Sequence, residues 1–317
     1  METVLEKIKD SQKNASDKFQ PSGLLLQPLW DLRIGYEWYL TSPIFPVILS
    51  VTFYFCVTFP WTIFDIYGQD WKWIQKFKIQ PTKSVTWPLV KQAVWVTFWN
   101  HMIFILPISV AQWIWQPATD FPSEAPTVWE FFWHQYASLM IFDFEYFVWH
   151  SVHHKIRPLY RWVHSIHHQY HSPFSWVTQY LHPWELISVG VFTTTSPWIF
   201  KAHPLTWWSF MLVSIIVSVE AHIGYDFWFM PHHWFYGWGG SIKHDMHHQR
   251  PLTNFAPFYT HWDWVFGTNC PGLLAGGEKS TFLMDYDKKR REKRFEKVKA
   301  KEAFLLDEKA LHHKRLD

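Results

Sequence analysis

The chain has 317 residues and a formal net charge of only +2, with 48% hydrophobic and 21% aromatic residues, 24 Trp and 20 His. So small a charge gives no reason to expect a nucleic-acid partner. The only two cysteines, Cys56 and Cys270, lie far apart and exclude a Cys-type zinc finger and a disulfide framework.

Residues 1–42 form a polar arm with short amphipathic stretches, and Asn14-Ala-Ser16 within it is a glycosylation sequon. No cleavable signal peptide is visible, and the apolar run Pro43–Ile66 reads as a signal anchor. A second run, Leu89–Trp115, is interrupted only by Lys91, Asn100 and His101. A third, Trp129–Trp149, carries Glu130, His134, Asp143 and Glu145 and reads as a span with one polar face. Trp184–Phe200 and Leu205–Val219 are shorter and suit a hairpin that enters the bilayer without fully crossing it. The yardstick is about 20 residues for the hydrocarbon core at a rise of ~1.5 Å per residue. Two of the runs exceed the length usual for a buried soluble helix, so the expected fold is all-α: a multi-pass integral membrane helical bundle, with residues 43–270 as its embedded domain.

The connection from Tyr67 to Trp87 carries Lys72, Lys76, Lys78 and Lys83 against Asp70 alone, whereas Gln116–Thr127 has Asp120 and Glu124 and no base. The positive-inside rule puts the basic connection in the cytosol and the acidic one, with the N-terminal arm and Asn14, in the lumen. Residues 271–317 are dense in Lys, Arg and Glu from Lys288 onward and read as a solvated cytosolic helix.

Three histidine clusters lie within one hundred residues: His150-Ser-Val-His-His154, His164-Ser-Ile-His167-His168 and His244-Asp-Met-His247-His248. Imidazole is a strong ligand for iron, zinc, copper or nickel. The i, i+3 and i, i+4 spacings place each cluster on one face of a helical turn. Three such turns offer more nitrogens than one ion can take, which predicts a cytosol-facing, histidine-rich di-metal domain. No cysteine and no carboxylate occupies a ligand position, so iron–sulfur chemistry and the Glu-x-x-His pattern of ferritin-like bundles are not matched, while the choice among nitrogen-loving metals stays open. A neutral imidazole needs an acceptor on its other nitrogen, and Asp143, Glu220, Asp226 and Asp245 are candidates. His222, at the cytosolic end of an apolar run, is a candidate ninth ligand beside the eight of the clusters. A divalent metal transporter or store is the competing class. Its histidines would line a path inside spans, whereas these sit at the polar edge beside Lys155, Arg157 and Arg161, which favours an enzyme.

Asp143-Phe-Glu-Tyr-Phe-Val-Trp-His150, the two HxxHH clusters, Ala-His222-Ile-Gly-Tyr-Asp226 and residues 254–268, from Asn254 through Asp263 to Thr268, resemble the fatty acid hydroxylase/sterol desaturase superfamily over roughly residues 40–270. The resemblance implies an O2-dependent membrane monooxygenase of the endoplasmic reticulum with two non-haem iron ions. His150, His154, His164, His167, His168, His222, His244, His247 and His248 fall on ligand positions and His153 on a non-ligand one. Ile223 replaces the serine usual after the His222 position. By the same resemblance His182 and His261 lie behind the ligands or along the substrate, and His171, His232 and His233 at the interface.

Sterol side-chain hydroxylation leads the implied activities, followed by sterol 4-methyl oxidation, desaturation and fatty acyl hydroxylation, because one oxidant serves all and pocket shape decides. The chain has no GxGxxG after a strand, no P-loop and no haem or flavin motif. Electrons would then come from a separate carrier, by resemblance cytochrome b5 or its reductase with NADPH or NADH.

Overall fold

The computed structural model describes residues 24–115 and 121–313, with side chains as far as residue 305; Asn14 lies outside the described residues. Helices dominate, and among the described residues there is no strand, only isolated bridges such as Lys78 with Tyr225. The protein is an all-α membrane protein.

Helix α1 is Ile44–Tyr67. Helix α2, Trp87–Asn100, continues through a π turn, His101–Ile105, into α3, Leu106–Trp115. At the turn the Asn100 side-chain amide donates to the Leu181 carbonyl (2.9 Å) and the His101 Nδ1–H to Thr97 O (2.8 Å). The Asn100 bond ties the turn to the chain at Leu181, whereas the His101 bond is local to the helix. Helix α4, Val128–Lys155, starts on a capping box: Thr127 Oγ1 accepts from Glu130 N (3.1 Å) and Glu130 Oε2 from Thr127 N (2.9 Å). Such a cap contributes about 1 kcal/mol. Helices α5, Pro183–Ile199, and α6, Pro204–His222, each carry proline in the first turn, where its missing N–H costs nothing.

Among the described residues, three helical stretches are long and apolar enough to cross a membrane: 44–70, 87–115 and Pro204–His222. The second member of the expected hairpin is therefore a span-length helix of 19 residues, because it continues past Val219 to His222. The polar-faced α4 is 28 residues long but falls outside that apolar set, and it turns Asp143, His150 and His154 inward.

The basic connection also differs from its sequence reading. Lys78 is only 4% exposed, with its ammonium 3.7 Å from Asp65 at the end of α1 and lying over the Tyr225 ring. One of the four lysines that argue for topology is thus a buried partner, while Lys72, Lys76 and Lys83 face outward. In the arm, Trp30 is buried and donates to Pro122 O (2.8 Å), and Gln27 accepts from Ala125 N (2.7 Å), which fastens the arm to the segment that leads into α4. Helix α7, Gly240–Gln249, packs Met246 against Cys270 and Leu283, the latter from the first turn of α8, Thr281–His313. The Arg250–Asp287 pair (2.7 Å) closes that contact.

Candidate metal centre

Nine imidazoles converge between α4, the 160–169 segment, the end of α6 and α7. Their ligand atoms fall into two groups, His150, His154, His164, His168 and His247 in one, His167, His222, His244 and His248 in the other, all buried. In the first, His154 Nε2 lies 3.2 Å from His150 Nε2 and 3.1 Å from His247 Nε2, and His168 Nε2 lies 3.1 Å from His164 and 3.0 Å from His247. In the second, His222 Nε2 is 3.2 Å from His167 and 2.8 Å from His244, which is 3.2 Å from His248. Two nitrogens bound at about 2.1 Å and at right angles to each other would be roughly 3 Å apart.

Helix geometry explains the sorting. Residues i and i+4 share a face, while i+3 is turned away from i+4 by about 100°. His150 and His154 therefore serve one group and His244 and His248 the other, while His247 reaches across. The second cluster departs from a single helical turn: His164 ends a π turn and His167 opens a 3₁₀ turn, which together send His164 and His168 to one group and His167 to the other.

The opposite nitrogens fix the protonation. Nδ1 of His150 meets Phe255 O (2.7 Å), that of His247 Thr253 O (2.6 Å), that of His248 Tyr170 O (2.9 Å) and that of His222 Ser218 O (2.7 Å). A carbonyl only accepts, so each Nδ1 carries the proton and each neutral ring turns its Nε2 lone pair inward. His164 Nδ1 donates likewise to Glu185 (2.9 Å). Burial, and then the neighbouring imidazoles, push His164, His168 and His244 well below the ordinary histidine range, and burial holds His247 at about 4. Converging buried lone pairs repel one another unless a cation lies between them. The residues present fit two metal ions of nitrogen preference.

The six other residues expected near the ligands have other partners, Glu220 among them accepting from Trp238 Nε1 (3.4 Å). Asp143 accepts from Phe258 N and Tyr259 N (2.9 and 3.0 Å), so it holds the 255–259 loop rather than a histidine. Asp245 takes Gln80 (3.0 Å) and Gln249 (2.6 Å), and burial raises it to about 6. Asp226 takes His232 and His233. His182 caps α5 by accepting from Trp184 N (3.1 Å), and His261 packs its ring on Trp262 and Tyr259. His153 stacks on Trp149 with its Nδ1 on Trp149 O and belongs to neither group. Ile223 is 0% exposed and joins the apolar core. Gly224, at φ +71°, lets the chain turn directly after it, and a Cβ there would meet Pro173 O at 2.8 Å.

Sequence reading missed Glu185, whose only signal is an acid near the head of an apolar run. Within residues 254–268 it gave a role to His261 but none to Asn254, Asp263 or Thr268. Asp263 accepts from Phe255 N and Ala256 N (2.8 and 3.0 Å) and from Thr268 Oγ1 (2.6 Å), and Asn254, at φ +52°, bonds Lys243 O and Cys270. This lock fixes the carbonyls that orient His150 and His247.

A cavity of about 1360 Å³ opens beside the second group. His222, His244, Ser218 and Ala221 line its inner end, Tyr146 and Leu186 its flank, and Glu130, His134, Lys201 and His203 its far end. Tyr146 and Glu130 both lie on α4, 16 residues apart or about 24 Å along the helix.

A buried polyhistidine centre at the inner end of an apolar cavity in a helical membrane protein defines a class of lipid-modifying metalloenzymes. The fatty acid hydroxylase family model matches residues 135–268. "Cholesterol 25-hydroxylase-like protein 2" of Danio rerio is 47% identical, covering 77% of this chain and 88% of that protein. The "Cholesterol 25-hydroxylase-like protein" of Caenorhabditis elegans is 41% identical over 79% and 84%, and "Cholesterol 25-hydroxylase" of Homo sapiens 40% over 77% and 90%. The chain belongs to the fatty acid hydroxylase family and is a hydroxylase-type oxidoreductase. No solved structure matches it.

Proposed function

We propose that the protein is a di-iron membrane monooxygenase that hydroxylates a sterol, using O2 and electrons from a separate carrier. The observation that carries this reading is the cavity that ends on His222 and His244, so that an apolar substrate reaches one metal position directly. Its volume exceeds the roughly 300–1,000 Å³ of drug-sized sites. The names of the relatives point to a sterol as the occupant.

When bound, the iron pair supplies the oxidant for an unactivated C–H bond, which no side chain can provide. The chain's own part is positional. Nine Nε2 atoms would hold the metals, while Phe255 O, Thr253 O, Tyr170 O, Ser218 O and Glu185 keep the protons on Nδ1. Leu186, Ala221 and Tyr146 keep water from the reacting carbon and aim it at the centre.

In this reading the protein sits in the endoplasmic reticulum membrane with its histidines toward the cytosol. Cytochrome b5 or its reductase, fed by NADPH or NADH, docks there. The test is mass spectrometry of lipids from a cell lacking such enzymes that expresses the full chain. A new hydroxysterol is expected, absent in His167→Ala. A desaturated sterol, an oxidised sterol 4-methyl group or a hydroxylated fatty acyl chain would move the assignment within the superfamily, and an unchanged product in His167→Ala would overturn the site.

A further inference from the structure

Outside the nine-histidine centre, Asp226, His232 and His233 place their ligand atoms within 4.8 Å of one another. They sit on the connection between α6 and α7. Asp226 Oδ1 accepts from His232 Nε2 (2.8 Å) and His233 Nε2 (2.6 Å). His232 Nδ1 faces Glu220 Oε1 at 3.6 Å, and both atoms are buried without a hydrogen-bond partner. The His232 side chain is 7% exposed, whereas that of His233 is 38% exposed and gives access from outside. Glu220 is anchored on its other oxygen by Trp238 Nε1 (3.4 Å). Gly240, the first residue of α7, lies so close that a Cβ would run into His232 and Glu220.

We infer that Asp226, His232 and His233 form a third metal site for a borderline divalent cation such as Zn2+, with Glu220 behind it. Two imidazoles and one carboxylate are a common donor set for such ions. Two buried or half-buried carboxylates supply a local charge that a dication neutralises. The arrangement seen is the proton-filled form, in which two Nε2–H groups share one oxygen. Metal uptake would displace those two protons and widen the ligand spacing to about 3.0–3.5 Å, as bonds of about 2.0–2.2 Å require. The site would staple the end of α6, which carries His222, to the start of α7, which carries His244, His247 and His248.

The test is zinc binding to the purified full-length protein in detergent, with total metal counted per chain by mass spectrometry after equilibration with Zn2+. His233→Ala, at the exposed edge, and Asp226→Asn are each expected to lose one equivalent relative to the parent while the remaining equivalents stay. His247→Ala is expected to lose metal from the nine-histidine centre and keep this one, so the two sites fail independently. Monodisperse elution and an unchanged far-ultraviolet circular dichroism spectrum of His233→Ala would show that it folds. An unchanged zinc count in folded His233→Ala would overturn the proposal.

Discussion

The two histidine groups differ in what surrounds them. The group of five is walled in: His150, His164 and His247 are braced by Phe255 O, Glu185 and Thr253 O, and none of the five lines the cavity. The group of four has His222 and His244 on the cavity wall. A position with fewer protein ligands and an open side is where an exchangeable ligand can bind, whereas a filled position holds its metal without meeting substrate. The asymmetry assigns different work to two sites built from one residue type.

The largest expected effect breaks the open group. His244→Ala should lower turnover by about 10³-fold or more, on the order of 4 kcal/mol of transition-state stabilisation. Metal analysis should find one equivalent fewer. Next, Glu185→Gln keeps the shape but removes the carboxylate that fixes the His164 proton. A loss of about 10–100-fold in metal affinity or rate is expected, read by chelator competition. A narrower change tests the cavity: Ala221→Phe should raise KM for a sterol by roughly tenfold with the metal content unchanged. Equal loss on all substrates together with lost metal would mean that the cavity wall and the centre are one structural unit.

The smallest effect concerns pH. His247 titrates near 4 in the folded chain against about 6.5 unfolded. The unfolded state therefore binds more protons between those values, and stability rises with pH in that window. The metal-free protein should hold its stability above about pH 6.5 and lose it progressively toward pH 4, as thermal melts would show. Bound metal steepens the loss in the same direction, because protons compete for Nε2.

The three clusters could be read from sequence because ligand spacing repeats along a helix, and His222 because it stands alone at the polar end of an apolar run. Which cluster's i, i+4 pair shares a group with which could not be read, since it depends on how α4, the 160–169 segment, α6 and α7 pack together. The residues that orient the ligands were the least legible. Four of the carbonyls belong to backbone that any sequence supplies, and Glu185 meets His164 only after α5 packs on α4. Asp143 and Asp263 were visible as acids, but their role in holding the 254–268 loop needed the fold. Lys78 misled for a related reason: a charge counted toward topology is neutralised inside by Asp65.

The most direct measurement is Mössbauer spectroscopy of the 57Fe-loaded protein with and without sterol. Two iron signals of equal area are expected, of which sterol shifts one, and His244→Ala should abolish the one that shifts. A single iron environment, or two signals that sterol moves equally or leaves unmoved, would contradict the account.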